Sequence, residues 1–216
     1  MKLKDKKDLL IDLDGVILDT KYDNYFWQSY IPKIYAQRKN ITDEDAINVT
    51  HAVFNYKRKT KDWYDIDYWS NILNIDIVEE KKKSENIRRM SLIEGSLDAL
   101  KQLKNDGNNL YLITNAHRKT LEIKLKKFPI NEYFVNIICS HELSYIKEDI
   151  QFWHILKNKI DVDLSKTILI EDTYDNIISG HHAGINSLIY ISKDEKPSDN
   201  IEVLQISALS DIFASL

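Results

Sequence analysis

Cysteine is nearly absent from this chain. Cys139 stands alone among 216 residues, so no intrachain disulfide can staple the fold, and a reducing cytoplasm is the expected setting. Glycine (5) and proline (3) are scarce as well, which argues against long structureless linkers. Nowhere does an apolar run approach the length of a membrane span. The opening "MKLKDKKDLLIDLDG" carries lysines, but its apolar stretch is short and meets acids at once, so no secretory leader is expected. Neither sign of charge dominates. Thirty Lys and Arg face thirty-four Asp and Glu, for a formal net charge of −4, and nothing in that balance calls for a nucleic-acid polymer or an anionic membrane. No internal repeat is visible. The length suits one large domain, or a core domain carrying an insert.

What the chain does have is two textures. Residues 9–14, 109–114, 134–139, 167–171 and 187–191 are short apolar runs rich in Ile, Leu, Val and Tyr, each the length of a strand buried on both faces. Between the later ones lie helix-like stretches: "SLDALKQLKNDG", with Ser96 as its expected cap, "HRKTLEIKLKKF", "KEDIQFWHILKNKI" and "NIISGHHAGI". Strand and helix alternating over 93–216 predict an α/β fold, a parallel sheet wrapped by helices. Residues 20–92 break the rhythm. They read as helices, with Thr42 and Asp43 as one start, and form a helical insert entered after the first strand. The expected division is a core of 1–19 plus 93–216 and a helical domain of 20–92.

The chemistry concentrates where strands end. In "LLIDLDGVILDT" (9–20), Asp12 and Asp14 follow the first strand one residue apart, and alternation along a strand would send both to one face. The second strand ends in Thr114 and Asn115, the fourth in Glu171 and Asp172, with Asp175 beyond. Open parallel sheets bind ligands beyond the carboxyl ends of their strands. Several carboxylates meeting there repel one another unless a cation neutralises them, and hard oxygen ligands with room for water and phosphate suit Mg²⁺. A carboxylate beside such an ion can attack phosphorus and carry the phosphoryl group covalently. Asp12 fits that role. Asp14 fits the acid/base that protonates the leaving oxygen and then activates water. Thr114, neighbouring backbone N–H groups (Asn115 among them) and Lys147, in "SYIKED" before the next helix, would hold the phosphoryl oxygens. Taken singly, these residues have blander readings. Asp-Gly favours turns, Thr114 suits a strand, Lys147 suits a solvated surface, and Glu171 and Asp172 could cap the next helix. An EF-hand does not fit, because Gly15 comes too early in the loop.

"DLDGVILD", "LITNAH", Lys147 in "YIKED" and "LIEDTYDN" together resemble the four ordered motifs of the haloacid dehalogenase (HAD) superfamily of phosphohydrolases. That resemblance spans the chain and places the insert where the superfamily carries its helical type 1 cap over a Rossmann-like core. It implies Asp12 as nucleophile and Asp14 as acid/base. It also implies magnesium on the Asp12 carboxylate, the Asp14 backbone carbonyl and Asp172, with Glu171 close by, and phosphate on Thr114 and Lys147. Asn176 stands where many relatives carry a second aspartate. The cap segments "YDNYFW" (22–27) and "WYDIDYW" (63–69), with "TNAH" (114–117), are similar to bacterial GMP/IMP nucleotidases of the superfamily. The substrate so implied is a small phosphomonoester, with a purine nucleotide preferred.

Competing readings remain open at this level. A sugar-phosphate phosphatase or β-phosphoglucomutase-like phosphomutase would share every core residue. A dehalogenase would have no use for Asp14, and a non-catalytic binding protein would be expected to lose one of the acids. Of the cap aromatics Phe26, Trp27, Tyr30, Trp63, Tyr64, Tyr68 and Trp69, most are expected to glue the cap together and one or two to face a base. His117 either reaches the substrate or starts a helix, and "EEKKKSENIRR" (79–89) reads as an exposed helix face.

Overall fold

The computed structural model describes residues 7–196 and 200–215. The extreme ends of the expected core, residues 1–6 and 216, and the segment 197–199 lie outside the described residues. Strand β1 (Asp8–Ile11) leads into seven helices: α1 (Lys21–Tyr25), which runs on as a π-helical turn over Phe26–Tyr30, α2 (Ile31–Lys39), α3 (Asp43–Lys57), α4 (Lys61–Tyr64), α5 (Ile66–Leu73), α6 (Ile77–Lys82) and α7 (Ser84–Arg89). Then follow α8 (Ser96–Asn105), β2 (Asn109–Thr114), α9 (Arg118–Lys127), β3 (Asn136–Cys139), α10 (Ile150–Ile160), β4 (Thr167–Glu171), α11 (Tyr174–His182), β5 (Ser187–Ile191), β6 (Leu204–Ile206) and α12 (Ile212–Ser215).

The six strands form one parallel sheet in the order β3-β2-β1-β4-β5-β6. Alternation along each strand feeds two cores. Leu9, Ile11, Leu110, Leu112, Ile168 and Ile170 pack on one face against α8 residues such as Leu100 and Leu103. Leu10, Tyr111, Ile113 and Leu169 pack on the other against Phe152, Trp153 and Leu156 of α10 and Ile177 of α11. A strand buried on both faces reads as an uninterrupted apolar run, which is why these were visible in the sequence. Each such side chain taken from water contributes roughly 1.5–3 kcal/mol. β6, three residues long, escaped the sequence reading.

β1 holds the centre, paired with β2 and β4. The order places the ends of β1, β2 and β4 side by side at one edge of the sheet. β1 stops at Ile11, and Asp12 donates its N–H to Ile170 O (3.0 Å) just past the strand. The expected alternation of Asp12 and Asp14 within a strand is therefore replaced by a turn. Gly15, at φ +86°, makes that turn in backbone space that a side chain resists.

The insert has its own apolar cluster, built on Phe26, Ile31, Phe54, Ile66, Trp69, Leu73 and Ile77. Thr42 caps α3 as expected, accepting from Asp45 N–H (3.1 Å). Ser96 does not cap α8. Gly95 occupies the cap position at φ +76°, and the Ser96 hydroxyl donates to Ile17 O (3.1 Å), tying α8 to the turn after β1. One stripe of α9 faces the insert: Ile123 joins its cluster, and Lys127 Nζ donates to the carbonyls of Ile87 and Met90 at the end of α7 (2.6 Å each), a helix end that welcomes a cation. Most of the segment 79–89 is exposed, as its charges suggested, but three of its side chains are not. Glu80, Lys81 and Asn86 are buried: Lys81 donates to Asp23 of α1 and lines the site, Glu80 accepts from the Tyr30 hydroxyl (2.8 Å), and Asn86 donates to Glu80 O (2.8 Å).

Candidate active site

Lys147 lies at the centre of the strand-end cluster. Its ammonium donates to Asp12 Oδ1 (2.5 Å) and Glu171 Oε2 (2.6 Å), with all three side chains buried. The second Glu171 oxygen accepts the N–H groups of Asp172 and Thr173 (3.1 Å each). Asp172 closes the group against the turn: a methyl group at Gly15 would fall 1.8 Å from Asp172 Oδ2. Glycine at 15 is thus required both by its φ and by this approach.

The electrostatics follow from the crowding. Burial and the neighbouring Glu171 push the Asp12 carboxyl up to about 7 against the pull of Lys147. Burial, Glu171 and Asp12 push Asp172 up to about 9. For Lys147, burial would drive the proton off, but Asp12 and Glu171 prevail and hold it above the usual lysine range. A single ammonium therefore leaves the acids short of positive charge.

Carboxylate oxygens of Asp12, Glu171 and Asp172 lie within 4.8 Å of one another. Among the described residues, the buried Oδ1 of Asn176 has no hydrogen-bond partner, and Asn176 lines the same cavity. An all-oxygen donor set, with excess negative charge and an orphaned amide oxygen beside it, fits a hard divalent cation such as Mg²⁺.

Asp14 turns away from this group. Its Oδ1 accepts from Lys124 Nζ (2.6 Å), which also donates to Asp23 Oδ2 (2.5 Å), and Lys81 Nζ donates to Asp23 Oδ1 (3.0 Å). Burial raises the Asp14 carboxyl, opposed by Lys124. Burial opposes ionisation of Asp23 too, but Lys124 and Lys81 overcome it and hold that carboxyl far below the usual range.

Thr114 ends β2 buried, its oxygen accepting from Ala116 N–H (3.0 Å), so its hydroxyl hydrogen can point into the cavity. The Asn115 side chain is committed at both ends: Oδ1 accepts from Lys147 N–H (3.0 Å) and Nδ2 donates to Glu148 Oε2 (2.8 Å). What Asn115 can offer a phosphoryl oxygen is its backbone amide. Glu148 also accepts from the Tyr64 hydroxyl of the cap (2.6 Å). His117 caps α9 through Nδ1, which accepts from Lys119 N–H (3.3 Å), and it does not line the cavity. Of the two roles considered for it, the structure supports the helix start.

Seven of the residues singled out from the sequence (Asp12, Asp14, Thr114, Asn115, Lys147, Glu171 and Asp172) line one cavity of about 630 Å³ between sheet edge and cap, whereas Asp175 lies outside it and pairs with Lys59 Nζ (2.5 Å). Its roof includes Trp27, Phe54, Trp63 and Tyr64, whereas Phe26 and Tyr30 pack inside the cap. Sequence reasoning missed Asp23, Lys81, Lys124 and Glu148. Asp23 stood inside the quoted "YDNYFW", and Glu148 beside Lys147. The two lysines sat in lysine-rich stretches that look solvated.

Comparison with known proteins agrees with this arrangement. Residues 9–190 match the family model of haloacid dehalogenase-like hydrolases. The chain belongs to that family. It is 31% identical over 170 residues to the GMP/IMP nucleotidase YrfG of Escherichia coli K12, covering 79% of this chain and 76% of that protein. It is 22% identical over 189 residues to the pyrophosphatase PpaX of Halalkalibacterium halodurans, covering 84% and 81%. In fold it is similar to a HAD phosphatase from Thermococcus onnurineus, with a TM-score of 0.82 at 16% identity over 96% of both chains. The protein is a HAD-family phosphatase, and its insert takes the place of that family's cap.

Proposed function

We propose that this HAD phosphatase hydrolyses purine 5′-monophosphates of the GMP/IMP class with Mg²⁺, through a phosphorylated Asp12, in the cytoplasm. The observation that carries the reading is the Lys147 bridge, which fixes Asp12 at the floor of a cavity roofed by indole rings. Similarity to the E. coli nucleotidase supports the choice of substrate class. The division into a core of 1–19 and 93–216 and a cap of 20–92 is part of the proposal, supported by the separate apolar cluster of the insert.

Asp12 Oδ2 is the oxygen left to attack phosphorus, since Oδ1 is held by Lys147. As the bond to the leaving oxygen breaks, Asp14 gives that oxygen its proton. In the second half, Asp14 takes a proton from the water that attacks the aspartyl phosphate and frees Asp12. Thr114, the backbone amides after β2 and Lys147 hold the phosphoryl oxygens as charge redistributes. The Asp12 carboxylate, the Asp14 carbonyl and Asp172 would hold the magnesium ion, with Glu171 beside them. When bound, the ion supplies positive charge that keeps the acids ionised and screens the phosphate. Trp27 and Trp63 line the cavity, and an indole ring can stack on a purine.

Phosphate release from a panel of nucleoside 5′-monophosphates and sugar phosphates, with Mg²⁺ and with chelator, tests the reading. GMP and IMP should lead, and chelation should abolish release until magnesium is restored. Equal or faster release from glucose phosphates would overturn the nucleotide assignment, and activity insensitive to chelation would overturn the metal.

A further inference from the structure

Four charges of alternating sign, the two lysines buried and the two aspartates partly so, run from the proposed acid/base into the cap. Asp14 follows β1 and Lys124 lies on α9, both in the core, whereas Asp23 lies on α1 and Lys81 on α6, both in the cap. Consecutive members are 2.6, 2.5 and 3.0 Å apart. Lys124 and Lys81 are 2% and 1% exposed. Lys81 ends the chain over the ring of Phe26, 4.1 Å from its centroid, a seat that favours a cation.

Such a row is costly to bury, and apolar side chains of similar size would often stabilise as well. Its value is better sought in what it orients. Lys124 ties Asp14 Oδ1, while among the described residues Asp14 Oδ2 makes no hydrogen bond and the side chain borders the cavity. A carboxyl group held by one oxygen can present the other in a fixed direction. The cation that holds it is itself held by a carboxylate of the cap.

We propose that Lys124, braced by Asp23 of the cap, is a positioning residue for Asp14: it aims the free Asp14 oxygen at the leaving oxygen, so the acid is fully in place only when α1 of the cap is seated. This inference rests on Asp14 acting as the general acid. It separates a positioning role from a merely structural one by the leaving group it concerns. A leaving alkoxide needs a proton at the moment of bond cleavage, whereas 4-nitrophenolate leaves readily without one. In the first half-reaction, mispositioning Asp14 therefore harms alkyl phosphates selectively, whereas general damage to the site harms both substrates alike. The later hydrolysis of the aspartyl phosphate, which Asp14 also serves, is the same for both.

The experiment measures kcat/KM, which reads only the steps up to release of the leaving group and leaves out the shared hydrolysis of the aspartyl phosphate, for 4-nitrophenyl phosphate and for the alkyl phosphate turned over fastest in the panel above. It compares wild type, Asp14→Asn, Lys124→Met and Asp23→Asn, all in the full chain with Mg²⁺ and with folding checked by circular dichroism. Asp23→Asn keeps the side-chain shape and serves should Lys124→Met fail to fold. The expected result for Lys124→Met is a loss of about 10²-fold on the alkyl phosphate, within the range general acid catalysis supplies, and less than about threefold on the aryl one. Asp23→Asn should show the same split at smaller size. A split in Asp14→Asn, with uniform or no loss in the other two variants, would overturn the positioning role alone. No split in Asp14→Asn would overturn the acid assignment and this inference with it.

Discussion

Asp12 and Gly15 do the most work for their size. Asp12 is pinned by one oxygen to Lys147 and left with the other facing the cavity. Asp12→Asn keeps the shape and removes the nucleophile, so turnover should fall by at least about 10³-fold. Circular dichroism should be unchanged, and an active variant would remove Asp12 from its role. Gly15→Ala is a sharper test of the architecture. Its methyl would have to displace the Asp172 carboxylate, at a φ that alanine resists. The magnesium concentration giving half-maximal activity should rise by at least about tenfold, and an unchanged value would separate Asp172 from the metal.

At the scale of elements, the site is assembled by three strand ends from one side and by α9 from the other. The strand ends were legible in the sequence because buried parallel strands are unbroken apolar runs, and the polar residues that stop them stand out. Asp12, Thr114 and Glu171 were found that way. The role of α9 was not legible. Lys119, Ile123, Lys124 and Lys127 share its cap-facing side, yet "HRKTLEIKLKKF" carries so much charge that no apolar stripe shows. The partners of Lys124 lie 110 and 101 residues away, beyond any local pattern. For the same reason Lys81, between Lys82 and Glu80, read as solvated although it is buried under Phe26. Tyr64 is the complementary tie from the cap, donating to the Glu148 carboxylate that also engages Asn115. Tyr64→Phe should leave the fold intact and lower kcat/KM roughly tenfold, the cost of one charge-assisted bond. Steady-state kinetics beside a thermal melt checks this, and unchanged kinetics would mean the bond does not hold the cap in its working position.

For the whole molecule, the acids at the sheet edge make stability depend on proton and metal together. The Asp12 and Asp172 carboxyls, pushed up to about 7 and about 9, bind protons more tightly folded than unfolded, where carboxyls titrate near 4. Between about pH 4 and 9 these two carboxyls therefore hold more protons in the metal-free folded state than in the unfolded one, and the stability they contribute falls as pH rises through that interval. Thermal melts in chelator should show Tm dropping from pH 5.5 to 8.5. Mg²⁺ should restore more stability at the alkaline end, where the acids are ionised to receive it. Equal magnesium stabilisation at both pH values would contradict this. The central claim is chemical: Asp12 carries the phosphoryl group. The most direct measurement traps the enzyme during turnover of a nucleoside monophosphate with Mg²⁺, reduces it with borohydride, and sequences the peptides by mass spectrometry. An acyl phosphate at Asp12 is converted to homoserine at position 12, and that is the predicted result. Homoserine at another aspartate, or unmodified Asp12 in enzyme trapped while turning over, would contradict the account.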